Sequence, residues 1–214
     1  MNPERQTSPH PHSITVSPDN AHVIVCDLGL DKIFSYRLDV ETATLTPTET
    51  AFIVSSPGAG PRHFAFSPNG RYAFMITEMG ATITAYRYDS TRGSLEAADV
   101  KSTLPSDFRG ENKSAAIRVH PNGRFIYGSN RGPDNIAVFA FDELDAKLKL
   151  VEIVPTGGQG PRDFALSPDG GWLVAAHQDS NSLTTFQVDS KTGRLTRTPA
   201  AAQISMPVCV LFGD

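Results

Sequence analysis

Three observations predict an all-β fold built from repeated four-stranded antiparallel sheets, the architecture of propeller blades. An internal repeat runs at about 50 residues without a gap, β-branched and aromatic segments alternate with Gly, Asn, Asp and Pro turns, and apolar residues at helical spacing are absent. The repeat is anchored on the proline of four Ser/His-Pro-Asp/Asn runs, Pro18, Pro68, Pro121 and Pro168, which lie 50, 53 and 47 residues apart. Fifteen residues past each proline stand Ile33, Ile83, Ile136 and Leu183, and three further on stand Tyr36, Tyr86, Phe139 and Phe186. All four units then place an aspartate (Asp39, Asp89, Asp142, Asp189) and, six residues later, a leucine (Leu45, Leu95, Leu148, Leu195).

Taken in order, the first unit covers about residues 9–54, the second 59–104, the third 112–155 and the fourth 159–203. The second unit shows the pattern most plainly: strand HFAFS, turn SPNG, strand RYAFMIT, loop EMGA, strand TITAYRY, turn DSTRG and strand SLEAADVKS. One such sheet cannot cover both of its faces, so stacked neighbours must supply the cover. A β-sandwich would give no reason for the gapless repeat. Each repeated aspartate opens the third turn of its unit, where a side-chain carboxylate caps backbone N–H groups. Residues 207–212, PVCVLF, read as a lone closing strand, the first of a fifth blade, with about ten residues at the other end to complete it. The ring of residues 1–214 is therefore expected to be open, and its bare blade edges to favour self-association.

Bulk properties narrow the function. A net charge of -4, with 20% charged residues, offers nucleic acid no basic surface. The N-terminal stretch MNPERQTSPHPHS lacks a leader pattern, and no apolar run nears the length of a membrane span, which leads to the expectation of a cytoplasmic chain without membrane partners. Cys26 and Cys209 lie far apart and outside any CxxC pattern, as expected of reduced thiols in the core.

The stretches PHPHSITVSPD, DLGLDKIFSYRLD, GPRHFAFSPNGRYAFMITE, HPNGRFIYGSNRG and GPRDFALSPDG resemble the lactonase family of seven-bladed β-propellers. The resemblance runs over the whole chain and corresponds to the last four blades and closing strand of that family, with three blades missing. It implies a 6-phosphogluconolactonase-like hydrolase opening a phosphorylated sugar lactone, a step of the pentose phosphate pathway. The related carboxy-cis,cis-muconate lactonizing enzymes offer a cycloisomerase as the alternative, and a non-catalytic binding module is the third reading, because propellers serve many functions. No cofactor is implied.

Strand order places the chemistry. In a propeller the first strand of each blade is innermost, so the position leading into it and the loop between the second and third strands share one channel mouth. The first position holds His12, Arg62, Ala115 and Arg162, and the second holds Leu28, Glu78, Arg131 and Gln178. Guanidinium forks beside histidine and carboxylate suit a small anionic substrate and proton transfer. By resemblance, His12, Arg62, Glu78 and Arg131 are the catalytic set. Either Glu78 or His12 would activate water, Arg62 and Arg131 would steady the oxyanion or the substrate's anionic group, and Arg162 and His10 would bind substrate. The bland reading of Arg62 and Arg162 is ion pairing between blades. His10 and His12 could form half a metal site with Asp27 or His177, but metal sites need three or four ligands, so no metal is expected. His22 and His120 read as structural.

Overall fold

The computed structural model describes residues 2–213. Sixteen strands form four sheets, each an antiparallel meander in chain order. Blade 1 holds β1 (Pro11–Val16), β2 (His22–Asp27), β3 (Lys32–Asp39) and β4 (Thr44–Val54). Blade 2 holds β5 (Pro61–Phe66), β6 (Tyr72–Thr77), β7 (Thr82–Asp89) and β8 (Ser94–Ser102). Blade 3 holds β9 (Lys113–Val119), β10 (Phe125–Arg131), β11 (Asn135–Asp142) and β12 (Lys147–Pro155). Blade 4 holds β13 (Pro161–Leu166), β14 (Trp172–His177), β15 (Ser182–Val188) and β16 (Leu195–Gln203). No helix occurs among the described residues, so none is long and apolar enough to cross a membrane.

Side-chain alternation explains the stacking. In β6, YAFMIT, every residue is buried, because the strand serves two neighbours at once. Phe74 and Ile76 pack with Ile117, Phe139 and Phe141 of blade 3, while Ala73 and Met75 pack with Ile24, Cys26 and Ile33 of blade 1. Phe141 stands edge-on to both Tyr72 and Phe74, with ring centroids 4.9 and 4.8 Å away. A third cluster joins Phe125, Tyr127 and Val138 of blade 3 to Phe164, Leu173 and Phe186 of blade 4.

The turns behave as their sequences require. Asp39 accepts the N–H groups of Glu41 and Thr42, Asp89 those of Thr91 and Arg92, and Asp189 those of Lys191 and Thr192. His22 is tied to the Tyr88 hydroxyl at 2.9 Å, and His120 lies between Asn122 N–H and the Gly170 carbonyl. Both histidines hold loops together and stand outside the channel mouth.

The first strands β1, β5, β9 and β13 lie side by side along the inner edge. In blades 1, 2 and 4 their ladders to the second strand slip at one point, between Pro11 and Ser13, between Pro61 and His63, and between Pro161 and Asp163. The residue in each slip is His12, Arg62 or Arg162. A bulge of this kind leaves one residue unpaired and re-aims its side chain, which places all three repeated polar residues at the same irregularity. Past β16 the chain departs from the expected closing strand: residues 207–212 form no ladder. A strand is defined by its partner, and here the one hydrogen bond among the described residues runs from Val210 N–H to the Asp163 carboxylate at 2.9 Å, with Pro207 buried. Val208 and Leu211 are left exposed, and so is Cys209, against the expectation of a core thiol, because the unpaired segment joins no sheet; Cys26 is buried as expected.

Candidate active site

Glu78 is the centre of the channel mouth. It follows β6 directly, its N–H is held by the Gly60 carbonyl, and its own carbonyl accepts Ser114 N–H, so blades 2 and 3 fix its backbone from both sides. One carboxylate oxygen accepts Arg62 Nε at 3.0 Å and Arg131 Nη2 at 3.0 Å, and the other accepts Arg5 Nη2 at 2.9 Å. The carboxylate is 2% exposed. Burial alone would raise its pKa, but the Arg131 and Arg62 guanidiniums, with Arg5, outweigh that and hold it below the usual range. Glu78 is a locked anion.

Arg62, expected beside the substrate, lies beneath the site at 1% exposure. Its Nη1 donates to the Ala115 carbonyl at 2.7 Å and to His63 Nε2 at 3.1 Å. A guanidinium only donates, so His63 Nε2 is the acceptor and the ring is neutral. Burial, followed by the nearby Arg62 charge, pushes the His63 pKa down to about 2. The same two causes in the same order take His12 down to about 4. The two rings lie 5.2 Å apart. Burial and the neighbouring Arg131 charge lower Arg62 to about 10, which leaves it cationic at neutral pH.

A hollow of about 330 Å³ opens above this layer, lined by Arg5, His10, His12, Glu78, Lys113, Arg131 and Arg162. Of the six residues singled out in the sequence, five line it and Arg62 supports it from below. His10 is exposed, stacks on His12 with centroids 6.3 Å apart, and is anchored by its backbone N–H to Asp27. Asp27 therefore serves the backbone, while His177 bonds the Ser182 carbonyl in blade 4. Arg162 is braced by Gln178 at 3.1 Å rather than by a carboxylate. Buried His12 Nδ1 has no hydrogen-bond partner among the described residues.

Three contributors escaped the sequence reading. Arg5 lies outside the repeat and is positioned by Gln6, whose amide donates to the Leu28 carbonyl at 2.9 Å. His63 is adjacent to Arg62, and only the bulge brings the two side chains together. Lys113 begins β9, and its carbonyl accepts Arg131 Nε at 3.1 Å. The HPNGRFIYGSNRG stretch offered a signal for Arg131 but none for Lys113.

Four blades whose inner edge converges polar groups on one mouth define a propeller with a binding or catalytic centre at its channel, and the chain belongs to the family described as Lactonase, 7-bladed beta-propeller, whose profile matches residues 1–212. It is 41% identical over 209 residues to the 6-phosphogluconolactonase of Bacillus subtilis, covering 98% of this chain and 59% of that protein. Among solved structures it resembles a Lactobacillus plantarum protein, with a TM-score of 0.92, 34% identity and coverage of 98% of this chain and 60% of that one. It also resembles the periplasmic gluconolactonase PpgL of Pseudomonas aeruginosa, with a TM-score of 0.90, 33% identity and coverage of 96% and 57%. The chain thus spans roughly three-fifths of the length of these relatives.

Proposed function

We propose that this chain, or the longer ring it corresponds to, hydrolyses a phosphorylated sugar lactone in the manner of a 6-phosphogluconolactonase, and that His12 is the base. The observation that carries this reading is a neutral imidazole in a hollow whose other lining residues include four cations, Arg5, Lys113, Arg131 and Arg162. Two groups were candidates for activating water. Glu78 has three guanidinium donors on its two oxygens, which commits both oxygens to holding them, whereas His12 lines the hollow without a partnering cation on its ring and is unprotonated throughout the neutral range.

The reaction follows from these roles. Water attacks the lactone carbonyl while His12 takes its proton, and Arg5, which lines the same hollow as His12, stabilises the oxyanion that forms. Collapse of the tetrahedral intermediate breaks the ring C–O bond, and His12 returns the proton to the departing alkoxide, giving a sugar acid. Glu78 holds Arg5 and Arg131 in position, Arg62 fixes Glu78 from beneath, and His10 covers His12 at the rim. Hydrolysis is preferred to cycloisomerisation because the similar proteins carry lactonase names. A phosphorylated substrate fits the Bacillus protein's name, and the product would feed pentose phosphate metabolism. We place the protein in the cytoplasm, where the free Cys26 and the exposed Cys209 stay reduced.

The test is ring opening of 6-phosphogluconolactone measured against its spontaneous rate. Wild type accelerates it, and His12→Asn lowers kcat by tenfold or more, within the range for a general base. No acceleration by the wild-type chain would support the non-catalytic reading instead.

A further inference from the structure

We infer that Lys113, Arg131 and Arg162 form a subsite for the substrate's phosphoryl dianion, distinct from the groups that perform the ring opening. This deepens the lactonase reading and rests on it. A second hollow, of about 300 Å³, adjoins the first and is lined by Glu111, Asn112, Gly132, Gln178 and Asp179 together with the same Lys113, Arg131 and Arg162. These three cations are the only lining residues the two hollows share. They therefore form the wall between a base-bearing chamber and a chamber with two carboxylates.

Their charge is not balanced. Among the described residues, Lys113 and Arg162 make no salt bridge, and Arg131 shares the single Glu78 carboxylate with Arg5 and Arg62. The two guanidiniums are nonetheless positioned, while the Lys113 side chain is exposed beside them. Arg131 is 16% exposed and held through Nε by the Lys113 carbonyl, and Arg162 issues from the β13 bulge braced by Gln178. Two guanidinium forks and one ammonium on a common wall match a group with three acceptor oxygens and a charge near -2 at neutral pH. An unopened lactone has no carboxylate, so the phosphoryl group is the only anion the substrate can present. Glu111 and Asp179 lie beyond the wall and repel a dianion from the second chamber. They hold the phosphoryl group at the partition and leave the lactone ring on the His12 side.

The experiment compares 6-phosphogluconolactone with unphosphorylated gluconolactone in wild type, Lys113→Met, Arg162→Met and, as a charge control, Lys191→Met on an exposed turn. Wild type should favour the phosphorylated lactone in kcat/KM by at least about tenfold, the worth of one charge-assisted hydrogen bond. Lys113→Met and Arg162→Met should each cut that preference about tenfold, mainly through KM, and Lys191→Met should leave it intact. Equal losses on both lactones, or an unchanged preference, would overturn the subsite while leaving hydrolysis standing. If wild type opens neither lactone, the lactonase reading fails and calorimetric titration with inorganic phosphate decides the subsite alone. Binding weakened about tenfold in Lys113→Met supports it, and equal or absent binding in both chains refutes it.

Discussion

Glu78 holds three guanidinium groups on two oxygens, and that ratio makes it the residue on which the channel mouth depends. Replacing it by glutamine leaves Arg62 buried without a counter-charge. Glu78→Gln should therefore destabilise the fold by about 3–5 kcal/mol, as breaking a buried pair does. Glu143→Gln, at an ion pair whose Arg71 side chain is 64% exposed, should cost under about 1 kcal/mol. Denaturant melts of the two variants check both figures. The depressed histidines set a pH dependence. His12 titrates at about 4 in the fold and near 6.5 when unfolded, so between those values the unfolded chain binds a proton that the folded chain refuses. Its contribution is complete above pH 6.5 and drains away as pH falls towards 4. His63, lowered from the same unfolded value, adds to the loss from pH 6.5 downward, and Glu78, also lowered by the fold, acts in the same direction further into acid. The melting temperature should hold steady above pH 6.5 and fall below it, and a flat profile down to pH 4 would contradict the protonation states assigned here. At this scale the sequence made Arg62 and Arg162 visible because they recur at one register position. It could not reveal Arg5, which lies outside the repeat, or His63, which reaches Arg62 only through a bulge.

Among the elements, β6 and β10 carry the packing between blades. Phe74, fully buried against Phe141 and Ile117, has no room to be replaced by collapse of its neighbours. Phe74→Ala should cost about 3–5 kcal/mol, whereas Leu45→Ala on the exposed outer strand β4 should stay within about 0.5 kcal/mol. Thermal unfolding of the pair measures the difference. Strand number, meander order and turn capping were legible because each rests on local signals: a period of two, a glycine or proline turn, an aspartate ahead of free N–H groups. Gly93 carries such a local signal in its φ of 66°, which favours glycine, while the His22 ring of blade 1, packed where a Cβ would stand, adds a constraint that no local pattern encodes. Residues 207–212 show the limit. Their β-branched pattern states a preference for extended backbone, and pairing depends on a neighbour that residue preference does not encode.

At the scale of the whole molecule, the two end blades turn apolar surface outward. Ile14 is 70% exposed on β1, with Phe52 and Val54 exposed on β4, and Trp172 is 44% exposed on β14. Burial of such surface is worth about 25 cal/mol per Å², so we expect the 214-residue chain to self-associate at micromolar concentration unless further blades cover these faces. Light scattering that reports a monomer would contradict this. The open arrangement leaves the four blades that build the hollow in mutual contact, because Arg5, His12, Glu78, Arg131 and Arg162 all come from the described chain. The central claim is that His12 acts as a neutral base inside a cationic hollow, and the pH dependence of kcat/KM for 6-phosphogluconolactone tests it most directly. The account predicts a rate constant across the neutral range, an acid limb centred near pH 4 in wild type, and loss of that limb with at least a tenfold lower plateau in His12→Asn. Superimposable profiles for the two proteins would contradict it.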